Sequence, residues 1–195
     1  MKGFKVSVLV FIVCCAFLGC KSTSTKKQTS NNTTKVGKGE REFQAYLDRK
    51  KKQYIGTKIP SIVVKTLKGE NYDLSKMEGK IILLNFWFAA CKPCITEISS
   101  FNELQDKYQS KKLVIISVGT DKKEVAEKVV AEKKMRYAIV ANRKDIADQM
   151  DVSTYPTSFL IDRKGIIQQV FIGASDFDAT HAYTEMKPHI EKLLK

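Results

Sequence analysis

The sequence predicts an α/β domain: a mixed central β-sheet in three layers, with helices on both faces and a β-hairpin at its N-terminal end. Three observations carry this. Two continuous apolar runs, Ile81 to Trp87 (IILLNFW) and Leu113 to Val118 (LVIISV), have the character of strands buried on both faces. Segments with helical periodicity separate and follow them. Two apolar stretches near the C-terminus flank Asp162-Arg163-Lys164-Gly165, a turn sequence closing on glycine. Strand–helix–strand–helix followed by a hairpin and a helix gives a mixed sheet covered on both sides.

Taken in order, Glu40 to Tyr54 predicts a helix with a short apolar stripe at Phe43, Tyr46 and Leu47 and a basic C-terminal end. It either packs on the domain or stays solvated. Ile62 to Thr66 and Tyr72 to Leu74 flank the turn residues Lys68-Gly69-Glu70-Asn71 and form the hairpin. After the first buried strand, one helix is expected from Pro93 to about Tyr108, with Ile95, Ile98, Phe101 and Leu104 sharing a face. After the second, Asp121 to about Lys134 is a charged amphipathic helix. Ala138 to Val140 is a short strand and Asp145 to Met150 a helical turn. Phe159 to Ile161 and Ile166 to Phe171 pair as a hairpin, and Thr180 to Leu194 closes the chain as a helix.

At 195 residues the chain has room for one domain and some additional sequence. Its formal charge of +13 is unevenly spread: residues 21–52 hold ten Lys/Arg against three Asp/Glu, whereas residues 53–195 hold 22 against 18. A nucleic-acid protein concentrates cations on the folded face that grips phosphate, with aromatics between them. Here the excess lies in a polar, low-complexity stretch, so no nucleic-acid partner is expected. That stretch reads as a flexible tether near anionic lipid. The expected division is 1–19 signal peptide, 20–52 basic tether with a possible short helix, and 53–195 the domain.

Lys2 and Lys5 precede a thirteen-residue apolar run, Val6 to Leu18, too short to span a bilayer and suited to a signal-peptide core. It ends Phe17-Leu18-Gly19-Cys20, which resembles a bacterial lipobox with Cys20 as the lipidation site. An uncleaved anchor and an ordinary secretory signal are the alternatives. All three place the domain outside the cytoplasm. Cys14 and Cys15 leave with the signal, so the domain keeps only Cys91 and Cys94, three apart, and has no disulfide framework.

That pair, Cys91-Lys92-Pro93-Cys94, sits where a buried strand hands over to a helix. There the unpaired N–H groups favour a thiolate on the first cysteine, and Lys92 adds charge of the same sign. Cys91 is therefore the expected nucleophile, the more acidic and more accessible thiol. Cys94, one turn on, is placed to resolve the mixed disulfide. A zinc site would need two further ligands. The only histidines, His181 and His189, stand eight apart on one helix and do not share a face, so neither metal nor other cofactor is expected. An inert structural disulfide closing so short a loop would add little stability.

Phe86-Trp87, the Cys91–Cys94 motif and Tyr155-Pro156-Thr157-Ser158-Phe159-Leu160-Ile161-Asp162 together resemble the thioredoxin superfamily. The likeness extends over residues 58–195 and is closest to the membrane-anchored, extracytoplasmic thiol–disulfide oxidoreductases of the ResA/TlpA type. Asn85, where cytosolic thioredoxins carry a buried Asp, and Glu97, three after the second cysteine, also match that group. Ala89-Ala90 and Ser99 depart from it, at positions where Thr/Ser-Trp and Pro are usual. The resemblance implies a thioredoxin-like fold, a cis Pro156 opposite the cysteines and a Tyr155 backbone that pairs with an extended client segment. It also implies a proton-transfer role for Glu97 toward Cys94. Asn85 cannot titrate and is expected only to hydrogen-bond a water, and Trp87 is expected in the core. The implied partners are oxidised client proteins, with apocytochrome c among their kinds, and a transmembrane electron donor of the disulfide-reductase-transporter type. A peroxiredoxin needs Pro seven and Thr/Ser three residues before its reactive cysteine, where this chain has Leu84 and Phe88. A copper chaperone needs a different cysteine spacing and a matched histidine, and a non-catalytic surface lipoprotein has no use for the pair.

Overall fold

The computed structural model describes residues 37–195, and Gly37–Lys195 forms one compact unit. The expected signal peptide, lipidation at Cys20 and the tether up to residue 36 lie outside the described residues. Among those that are described, no helix is long and apolar enough to cross a membrane.

Helix α1 (Lys38–Tyr54) leads into a two-stranded antiparallel hairpin, β1 (Val63–Lys65) and β2 (Asn71–Asp73). The main sheet follows from β3 (Ile81–Trp87), β4 (Leu113–Gly119), β5 (Ala138–Val140), β6 (Thr157–Ile161) and β7 (Ile167–Ile172), in spatial order β5-β4-β3-β6-β7. β3, β4 and β5 run parallel, while β6 and β7 are antiparallel, so the sheet is mixed as expected. Between and after the strands come α2 (Lys92–Thr96), α3 (Ile98–Tyr108), α4 (Lys123–Lys133), α5 (Lys144–Gln149) and α6 (His181–Leu194). In the β6–β7 turn the Asp162 carboxylate accepts from the N–H groups of Lys164 and Ile166, and Gly165 takes the positive φ of 78° that the turn needs.

Every residue of β3 is buried, and period-two alternation divides the strand between two cores. Ile81, Leu83 and Trp87 face the core built with α2, α3 and α6, which also takes in both cysteines. Ile82, Leu84 and Phe86 face the other core, with Ile146 and Ala147 of α5 and with Ile62, Val64 and Leu74 from the hairpin region. Asn85 falls on the first of these faces, the side of the redox pair.

One expectation changes, and one alternative left open is decided. The single helix expected from Pro93 to Tyr108 is interrupted at Glu97, a turn residue that stays in the right-handed α region (φ −78°, ψ −7°) and separates α2 from α3. Helix α1, grouped with the tether by composition, is docked on the domain. Leu47 is buried, Lys50 pairs with Asp151, the Tyr54 hydroxyl donates to the Met150 carbonyl at 2.8 Å, and the Tyr54 ring meets Phe159 edge-on. Its apolar stripe is narrow, so these longer-range polar anchors, invisible in the local sequence, hold it in place.

Candidate active site

The parallel strand β3 delivers its C-terminal end to the top of the sheet, and Cys91 follows as the N-cap residue of α2. Its Sγ accepts the backbone N–H of Cys94 at 3.3 Å, in the way a capping oxygen accepts a free helix N–H. Pro93 lies in the first turn, where a missing N–H leaves nothing unpaired. Cys91 and Cys94 are joined as a disulfide, with Cα atoms 5.3 Å apart. Both are buried, Cys91 at 5% exposure and Cys94 at 2%, so Cys91 is the more accessible by a narrow margin. The Lys92 ammonium lies 4.5 Å from the centre of the Phe177 ring.

Three contacts hold the loop before the pair. The Asp121 carboxylate accepts from the Ala89 N–H at 2.6 Å, and the Cys91 N–H bonds the Phe88 carbonyl. The Phe88 ring meets Tyr155 edge-on at 5.3 Å. Trp87 is core, as expected, lying so close over Gly119 that a Cβ there would sit 3.2 Å from its ring.

The Tyr155–Pro156 peptide bond is cis. Its place beside the cysteines follows from sheet register: Phe86 of β3 pairs with Thr157 of β6, so continuing one step brings Pro156 level with Trp87, at the end of the strand that leads to Cys91. The Phe88–Tyr155 ring contact closes the same gap from the side.

Three residues after Cys94, Glu97 stands at the break between α2 and α3 and is only 3% exposed. Burial pushes its carboxyl up to about 8; an N–H from Asn85 acts against that rise and the charge of Glu185 adds to it. Asn85, expected only to bind a water, instead links three side chains. Its amide donates to Glu97 Oε1 at 3.1 Å and to Ser158 Oγ at 3.0 Å, and its carbonyl accepts from Ser117 Oγ at 2.6 Å. The reason is register. Ser117 on β4 and Ser158 on β6 are the direct cross-strand partners of Asn85, so three polar residues form one rung across the middle of the sheet. Sequence reasoning missed both serines, along with Asp121 and Phe177. The available signal was a hydroxyl inside each of two largely apolar runs, LVIISV and TSFLI.

A model of the AhpC/TSA family matches residues 55–170. The chain belongs to the AhpC/TSA family. Within it, the chain is 33% identical over 145 residues to a thiol-disulfide oxidoreductase ResA of Bacillus cereus, covering 73% of this chain and 84% of that protein. The thioredoxin-like protein YneN of Bacillus subtilis is 33% identical over 135 residues, covering 67% and 79%. A crystal structure from Chlorobium tepidum, described as a thiol:disulfide interchange protein DsbE, superimposes with a TM-score of 0.66 at 26% identity, over 72% of this chain and 98% of that one. The fold is thus thioredoxin-like, and the activity of this AhpC/TSA-family chain is thiol–disulfide oxidoreduction. The family name does not make it a peroxidase. Leu84 is fully buried in the core and Phe88 packs against Tyr155, so neither places a polar group beside Cys91.

Proposed function

We propose that the protein is a reductant of client disulfides outside the cytoplasm, with Cys91 as nucleophile and Cys94 as resolving thiol. The Cys91 thiolate attacks a client cystine, forming a mixed disulfide and releasing one client thiolate, which takes a proton from solvent. Cys94 then attacks the Cys91 sulfur, its proton passes to Glu97, and the second client sulfur leaves. The client gains two electrons and the pair is oxidised, to be re-reduced by a dithiol donor; a transmembrane protein of the disulfide-reductase-transporter kind fits that need. Tyr155 and Pro156 offer the client an extended backbone edge. The observation that carries this reading is the buried carboxyl of Glu97, one turn beyond the inner cysteine, because release of a reduced client requires an acceptor for that cysteine's proton. Clients with exposed, extended cystine segments suit this site, and apocytochrome c is one such class.

The direction of electron flow is tested by equilibrating the pair against glutathione. A reductant should lie near thioredoxin's value of about −270 mV, whereas a value near −120 mV belongs to an oxidant and overturns the reading. The proposal includes a lipid at Cys20, because the apolar run ends there and a polar tether follows. Cys20→Ala should move the protein from the membrane fraction to the soluble extracytoplasmic one; a variant that stays with the membrane rejects lipidation as the anchor.

A further inference from the structure

The rung Ser117–Asn85–Ser158 is costly unless it serves a purpose. All three side chains are fully buried in the centre of a sheet whose three middle strands are built mainly from Ile, Leu, Val and Phe. Hydroxyl and amide groups lose their water on burial and regain stability only through hydrogen bonds. An apolar β-branched residue at any of the three positions would serve the sheet better. Nothing in strand pairing requires the rung, and through the Asn85 amide it makes one bond outside the sheet, to Glu97 Oε1.

We infer that Ser117 and Ser158 are positioning residues for proton transfer at the redox pair: from the strands on either side of β3 they hold the Asn85 amide so that its N–H group, and not its carbonyl, meets Glu97. The inference rests on the reading of Glu97 as proton acceptor for Cys94. Ser117 donates to the amide carbonyl and Ser158 accepts from the amide nitrogen, so both flanks of the amide are held and one N–H is left for Glu97. A reversed amide would set two acceptors, Oδ1 and the carboxylate, against each other.

The other groups bearing on Glu97 give the arrangement its importance. Cys94 lies one turn earlier on α2. Glu185 on α6, itself paired with His181 at 3.5 Å, repels the carboxylate. Tyr137, just before β5, is buried with its hydroxyl unpartnered, and burial together with Glu97 keeps that phenol protonated. Among the described residues, the Asn85 amide is the group that favours the ionised carboxyl. Removing its support raises the pH at which Glu97 can accept a proton.

The test uses the full chain with Ser117→Ala, Ser158→Ala and the double variant. Two readouts are taken: the pH dependence of disulfide exchange with oxidised glutathione, and the carbon-13 chemical shift of the Glu97 carboxyl in the oxidised protein. The double variant should move both midpoints upward by about one pH unit and slow exchange near neutrality by roughly ten-fold. Ser117→Thr keeps a hydroxyl and should restore the midpoint. If the double variant does not fold, either single variant reads the same shift. Unchanged carboxyl midpoints in folded variants overturn the inference. If Glu97→Gln exchanges like wild type, the proton-acceptor role fails; the carboxyl midpoint still reports on the serines, and no shift there means they do not hold it.

Discussion

Cys94→Ser should turn the enzyme into a trap, accumulating covalent complexes with its clients, while Cys91→Ser should form none. Each variant should lose turnover by roughly a thousandfold or more, because removing either sulfur removes a bond-forming step rather than a supporting contact. The difference between the two follows from position. Cys91 is the helix N-cap, with the Cys94 N–H directed at its sulfur, an arrangement that favours a thiolate. Cys94 is the less exposed of the two, which suits the resolving role proposed for it. Non-reducing electrophoresis of cells expressing each variant checks this. Adducts with Cys91→Ser and none with Cys94→Ser would exchange the two roles. Adducts with neither would make the pair structural.

The second large effect is expected at Glu97. Glu97→Gln should slow exchange by about ten-fold or more and flatten its pH dependence. In the proposed mechanism the resolving step needs the carboxylate, so the rate should climb as pH rises toward about 8, where burial has placed the carboxyl. Glutamine cannot accept the proton and should lose that climb. Stability provides an independent check with its own sign. The folded-state value is raised above the unfolded value of 4.5, so the folded protein holds the proton more tightly. The contribution of Glu97 is therefore intact below pH 4.5 and lost progressively as pH rises to about 8. The loss is roughly 5 kcal/mol at most. Glu97→Gln should remove this slope, so that in denaturant titrations the variant gains on the wild type from pH 5 to pH 9. An exchange rate matching wild type across that range would leave Glu97 without a role in proton transfer.

The sequence carried the fold further than the site. The β3 and β4 runs announce buried parallel strands because a strand covered on both faces has no polar alternation, and the turn at Asp162–Gly165 is encoded within its own four residues. The cis bond at Pro156 followed from family resemblance and not from local chemistry. The break at Glu97 was not legible. The apolar periodicity of Ile95, Ile98, Phe101 and Leu104 continues across it, and no Gly or Pro stands between Cys94 and Tyr108 to mark the interruption. Docking of α1 was equally hidden, since Asp151, Ser153 and Met150 reach it from about a hundred residues away.

By itself, the sequence determined the chemistry available: two cysteines one helical turn apart, at the end of a buried strand, in a domain with no third thiol. That much is local, because spacing along the chain sets which groups a helix start brings together. Only the tertiary structure decided how the chemistry is supported. Ser117, Asn85 and Ser158 come from three strands that meet through sheet register, a non-local property that changes face with a one-residue slip. Whether a carboxylate such as Glu97 is an ordinary surface acid or an interior proton acceptor depends on its burial and on the dipoles directed at it, and both are set by parts of the chain distant in sequence.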